Sequence, residues 1–266
     1  MEENRDRNQE YDTTIKDLGG IKDVNLFFKA IELYFSTELS LHDSLVINND
    51  FDIRTIKTRK KTEWALNKTI LKFLSEDHEQ LLYGIIQPDV PFQDKALALF
   101  WQFTLNNKLF REISINVFTK IYFSGRASIT NDEIIAFIKE QSHNSGAESF
   151  QWSEETIYRI ATKYLNLMSK LSFVTEGRNK SFTPIRPSIE AQVLFLYFSQ
   201  LFTPHNRDIL GNSILPLSFI TSDDIHNRLK KISTKGYFNM DFNGINLNIE
   251  LIHSYKGICD VLYHRS

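Results

Sequence analysis

The segment from Ser128 to Pro187 constrains this chain most, because it strings together local signals whose order is that of a helix-turn-helix followed by a wing. It begins Ser-Ile-Thr-Asn-Asp-Glu-Ile-Ile-Ala-Phe-Ile-Lys-Glu, an amphipathic helical pattern with acids in its first turn. The polar stretch Gln141–Ser149 then reads as a loop. In the next helix Ser153 is placed as N-cap, its hydroxyl accepting an amide that the first turn leaves unpaired, and Glu154 and Glu155 complement the helix dipole. Ile157, Ile160, Ala161, Tyr164, Met168 and Leu171 recur at three- and four-residue steps, which predicts one buried stripe. Thr156, Arg159, Lys163, Asn166 and Lys170 follow the same period on the other side, with no acid beyond the first turn. Arg178 and Lys180 sit on a glycine-containing turn just after it. Two readings fit. A basic helix face can simply be solvated, or it can meet phosphates and base edges while the wing reaches the neighbouring backbone. Winged helices also bind protein.

A second basic stretch lies far upstream. Between residues 54 and 72 there are seven basic side chains and one acid, a net +6, with Arg54, Lys57, Arg59, Lys60 and Lys61 leading. The later part predicts an amphipathic helix with Trp64, Leu66, Ile70, Leu71 and Leu74 on its apolar side. Such a cluster can neutralise several phosphates, the sequence-independent part of DNA binding, and a solvated helix fits it too. The whole chain of 266 residues carries a net charge of only −2, so any nucleic-acid contact must come from local patches.

The remaining patterns predict a mainly α fold. Glycine and proline are scarce at 10 and 6, which favours helices over a many-turned β architecture, and the 21 phenylalanines predict an aromatic core. Residues 1–19 lack periodicity and read as a flexible tail. Residues 20–125 read as a helical, bundle-like domain, including a helix over Ile21–Phe35, a shorter one over Ser40–Ile47 and a long one over Asp94–Phe123. Residues 126–187 form the winged-helix-like unit, and 188–266 a helical region with a small β-hairpin. In that last part Asn243-Gly244 lies between alternating runs, so Phe238, Met240 and Phe242 can share a face with Ile245, Leu247, Ile249 and Leu251.

No catalytic, cofactor or metal site is expected. The seven histidines lack metal-ligand spacing, and Cys259 stands alone in an apolar patch, so it reads as a buried thiol. Phosphate-cradling glycine motifs and the nucleophile-elbow motif are missing. The longest apolar run, Val193–Phe198, is too short to span a bilayer, and the polar first ten residues do not form a signal peptide, so a cytoplasmic, membrane-free protein is expected.

The order of these features resembles the BrxA family of BREX phage-exclusion systems over about residues 20 to 190. The resemblance rests on Gly19-Gly20 and the helix to Phe35, Arg-Thr-Ile-Lys-Thr-Arg-Lys-Lys from Arg54 and Leu71-Lys-Phe-Leu. It continues through Glu79-Gln-Leu-Leu, the long aromatic helix, and Trp-Ser-Glu-Glu-Thr-Ile-Tyr-Arg-Ile-Ala from Trp152. The last eighty residues are longer than the family leads one to expect. It implies a non-enzymatic, cytoplasmic, mostly helical protein that binds double-stranded DNA beside the other proteins of the defence system. Arg54, Lys57, Arg59, Lys60 and Lys61 are then expected to contact phosphates. Thr156, Arg159 and Lys163 approach the groove, and Arg178 and Lys180 act from the wing. The alternatives are an adaptor that scaffolds a multi-subunit complex, and a winged-helix transcription regulator.

Overall fold

The computed structural model of the chain describes residues 10–145 and 150–264. Helices dominate, and among the described residues strands form two antiparallel two-stranded ladders, in keeping with the mainly α expectation. The chain divides into two compact units that are not consecutive in sequence. One comprises Met1–Lys72 and Gln102–Pro184, the other Phe73–Trp101 and Ile185–Ser266.

In the first unit, helix α1 (Thr14–Leu18) is followed by α2 (Asn25–Phe35), a π-turn at Asp43–Ile47 and α3 (Ile56–Lys68). Residues 10–19 are therefore not a loose tail; residues 1–9 lie outside the described part. Thr14, Ile15 and Leu18 are buried, and the Tyr11 ring stacks on Phe150 with centroids 4.0 Å apart while its hydroxyl donates to Glu112 Oε2 at 2.8 Å. Helical periodicity cannot reveal a segment this short, because long-range packing rather than propensity holds it.

The single helix expected over Asp94–Phe123 is interrupted. Helix α5 (Phe92–Asn106) follows α4 (Glu76–Ile85) and stops at Asn107, whose backbone is extended and whose Oδ1 accepts from the Phe110 amide at 2.7 Å. Asn107 thus caps a new helix, α6 (Lys108–Ile113), which continues through a π-turn (Ser114–Phe118) into α7 (Thr119–Phe123). Asn106 Nδ2 donates to the carbonyls of Thr69 and Lys72 at 2.6 and 2.9 Å, so the pair of asparagines ends one helix and starts the next.

The stretch after Ser128 forms the expected elements. Strand β1 (Ser128–Ile129) leads into α8 (Asn131–Ser145), then α9 (Glu154–Lys170) and β2 (Lys180–Ser181). Helix α8 reaches five residues into the segment read as a loop, to Ser145; residues 146–149 lie outside the described part. Ser153 Oγ accepts from the Thr156 amide, and all six stripe residues of α9 are buried. The hydroxyl of Tyr164 meets Ser114 Oγ at 3.0 Å inside this core, and burial raises its pKa. β1 and β2 pair with Ser128 opposite Ser181 and Ile129 opposite Lys180, while Val174 bridges to Phe182. Gly177 turns the chain between them at φ 92°, a left-handed conformation that a side chain would strain.

The second unit is built on α4, the first ten residues of α5, α10 (Ile189–Phe202), α11 (Ser222–Ser233), β3 (Phe238–Phe242), β4 (Leu247–Leu251) and α12 (Ile258–Leu262). Trp101 is buried, stacking obliquely on Phe195 and Phe198 and donating its indole N–H to the Leu217 carbonyl at 2.9 Å. Asp94 accepts from Ser188 Oγ at 2.8 Å and from the Tyr263 hydroxyl at 3.0 Å, tying α5, α10 and the chain after α12 together. Cys259 is fully buried. The hairpin pairs Phe238 with Leu251 through Phe242 with Leu247, closing on a four-residue loop in which Asn243 Oδ1 accepts from the amides of Ile245 and Asn246. Ile245 therefore sits in the turn and is exposed, instead of joining the apolar face of Phe238, Leu247 and Ile249.

Candidate nucleic-acid interface

Two hollows in the first unit gather most of the basic side chains singled out in the sequence. The first is a cleft of ≈ 330 Å³ where α9 faces the start of α8 and the β2 turn. Tyr158, Thr162 and Asn166 line its α9 side, one helical turn apart, and Arg178, Asn179 and Lys180 line the turn. A Cβ at Gly177 would stand in open space, so its positive φ, not crowding, favours glycine in that turn. The cleft thus offers cations on one wall and hydroxyl, amide and phenol groups on the other, a set able to hold a phosphate backbone and contact base edges. Burial lowers the pKa of Lys180, with Glu176 acting in the opposite direction.

The side of α9 predicted to face outward is only partly open. Helix α1 packs against it so closely that a Cβ on Gly19 would stand 2.5 Å from Lys163 Cβ and 2.6 Å from the Lys163 carbonyl oxygen. Gly19 has an ordinary helical φ, so glycine is needed there for proximity and not for a special backbone angle. Lys170 donates to the Gly19 carbonyl at 3.0 Å. Its pKa is pushed down to about 8, by burial first and then by Lys163 and Lys180. Arg159 is exposed but ion-paired to Glu155 one turn earlier at 2.5 Å. Thr156 shares the cap with Ser153, their hydroxyls 3.0 Å apart. Of the α9 residues picked from sequence, Asn166 alone lines the cleft; Tyr158 and Thr162, its neighbours there, lie on the flank between the buried stripe and the basic face, where the period marks neither side.

The second hollow, of ≈ 480 Å³, lies between α1 and α3. Lys57, Lys60, Lys61 and Trp64 occupy positions i, i+3, i+4 and i+7 of α3 and so form one stripe. Thr13, just before α1, and Lys16 and Asp17 of α1 face them. No ion pair involves Lys16, Lys57, Lys60 or Lys61 among the described residues. The one carboxyl present, Asp17, has its pKa raised by burial, with Lys16 and Lys61 acting in the opposite direction. Trp64 was expected in the core with Leu66 and Ile70, yet it is 47% exposed while both of them are buried. A two-residue step turns a helix by about 200°, so Trp64 and Leu66 cannot share a face. Arg54 is exposed just before the helix. Arg59 points elsewhere: its Nε donates to the Ile53 carbonyl at 2.8 Å and its Nη1 to the Val46 carbonyl at 3.1 Å, pinning the preceding loop.

Helix α1 connects the two regions, since it packs on both α3 and α9. No described helix is long and apolar enough to cross a membrane.

A model of the BrxA family matches residues 26–196, more than half of the chain. The chain belongs to the BrxA family. That places it with BREX phage-defence proteins, as its resemblance implied. The match begins in α2, includes both basic regions of α3 and α9, and ends within α10, leaving α11, the hairpin and α12 beyond it. No curated protein and no solved structure matches the chain.

Proposed function

We propose that this BrxA-family protein is a non-enzymatic, DNA-binding accessory component of a BREX-type phage-defence system. In this reading the β1–α8–α9–β2 unit is a winged helix that lays its cleft against duplex DNA. The observation that carries it is the convergence of Arg178 and Lys180 with Tyr158, Thr162 and Asn166 across one cleft, on the same unit as four lysines without ion-pair partners. Phosphate contacts dominate such an interface, so binding is strongly salt-dependent. Sequence selectivity is weak, because Arg159, the most capable base reader on α9, is held by Glu155.

A titration of random-sequence duplex by mobility shift at two salt concentrations tests this. Retardation at low salt that fades at the higher salt supports it. An absence of retardation at low salt, with a defence-system protein still captured by the same preparation, overturns it in favour of an adaptor. One observation favours that second reading: α1 already occupies part of the basic side of α9. A strong preference for one promoter over random duplex would instead indicate a transcription regulator.

A further inference from the structure

The Trp64 groove has a composition that duplex binding does not require. Duplex phosphates need cations, but they have no use for an indole half-exposed in the middle of a lysine stripe. We infer that the α1–α3 groove holds an unpaired stretch of DNA, with a base stacked on Trp64 and the flanking phosphates on the lysines. The inference rests on the DNA-binding reading above and adds the strand form that this part of the surface takes.

Three observations lead here. First, the indole is 47% exposed and lines a groove whose other walls are mostly lysine, at a position where α3 could have carried another lysine. Second, five cations surround it against the single carboxyl of Asp17: Lys57, Lys60 and Lys61 precede it on the stripe, Lys16 faces it from α1, and Lys68 Nζ lies 4.5 Å from the ring centroid. A ring flanked this way can stack a base on one face while a phosphate stays within reach of the ammonium groups. Third, the track does not end at the ring. Lys68, Lys72 and Lys108 line a further hollow of ≈ 450 Å³ with Asn67, beside Glu10 and Asp12, so a strand leaving the stacking position meets an amide and three cations against two carboxyl groups. From Lys57 to Lys68 the stripe extends ~16 Å at 1.5 Å per helical residue, long enough for several nucleotides and far longer than one isolated phosphate needs. A positively charged groove interleaved with an aromatic platform is the arrangement by which proteins hold single strands without reading their sequence. Acidic peptides would satisfy the lysines equally but would leave the indole without a role.

The test uses the full chain, a labelled oligothymidine of about twelve nucleotides and a duplex of matched length, both followed by anisotropy. Trp64 is exposed and lies on a helix of high intrinsic propensity at that position, so W64A is expected to fold; circular dichroism checks this, and W64F supplies a second variant that keeps a ring. W64A should bind the oligothymidine ~5- to 100-fold more weakly and W64F should fall between it and the wild type. Duplex affinity should change by no more than about twofold, since stacking is not used there. Unchanged oligothymidine binding by both variants overturns the inference. So does polyglutamate binding with the same sensitivity to W64A, which would make the groove an acidic-peptide site. Duplex binding retained beside W64A-insensitive oligothymidine binding sinks this inference alone. Oligothymidine binding that depends on Trp64 beside an absence of duplex binding sinks the duplex reading alone.

Discussion

Replacing Lys57, Lys60 and Lys61 together by alanine separates phosphate contact from mere solvation more sharply than any other change in this protein. These three side chains share one stripe of α3, are exposed, and lack ion-pair partners among the described residues, so their removal breaks no ion pair there and takes from half-buried Asp17 only the coulombic support of Lys61. Alanine is the best helix former, so stability should stay within about 0.5 kcal/mol of the wild type. Each phosphate neutralised on B-form DNA contributes ~0.9 to the slope of log affinity against log salt, so losing three contacts lowers the slope by ~2.7. Between ~50 and ~200 mM salt that difference amounts to a factor of ~40, so wild-type affinity should fall ~40-fold more across this range than that of the variant. The assay is a duplex titration at four or five salt concentrations, with thermal melting of both proteins as the control. Parallel salt slopes in two equally stable proteins would refute the reasoning and show that duplex phosphates do not lie on the stripe. Arg59→Ala makes the useful contrast: it removes the bonds to Ile53 and Val46, so it should lower stability while leaving the slope nearly unaltered.

Further outcomes follow from the packing. Gly19→Ala forces a methyl group against the backbone of Lys163, and overpacking of this kind should cost ~1–3 kcal/mol in urea denaturation; an unchanged midpoint would show that α1 is not closely seated on α9. Lys170 has a folded pKa of about 8, below its unfolded value of 10.5, so between those values the unfolded chain binds more protons and raising the pH favours the folded state. The stability of the wild type relative to Lys170→Met should therefore rise from pH 8 to pH 10.5, and a difference that stays flat or falls over that window in parallel melts contradicts the burial of this ammonium. Asp94→Ala removes the acceptor shared by Ser188 and Tyr263 and should cost ~1–3 kcal/mol, whereas Asp94→Asn keeps an acceptor and should cost less; equal losses in thermal melts would show that the network does not hold α5, α10 and the end of the chain together.

Much of the fold is written in local chemistry. The Ser153 cap, the buried stripe of α9, the β-hairpin and the solvent-facing lysines of α3 all follow from side-chain period and backbone preference, which act within a few residues. Even the break at Asn106–Asn107 is locally encoded, since asparagine competes with the helix for its own amides, although apolar periodicity on both sides conceals it. What the sequence by itself determined was therefore where the longer amphipathic helices and the hairpin form, and the buried side of α9. Tertiary structure alone decided which polar faces stay open. Ten residues near the start of the chain, without any helical period, fold onto α9 on the Lys163–Lys170 side, so the α9 polar groups that line the cleft beside the wing are the uncharged Tyr158, Thr162 and Asn166. The same segment sets Lys16 opposite the α3 stripe and turns an exposed tryptophan into one wall of a groove. An amphipathic helix encodes its apolar side through its own period, but whether its polar side meets water, a ligand or another segment depends on residues more than a hundred positions away, and no local pattern carries that information.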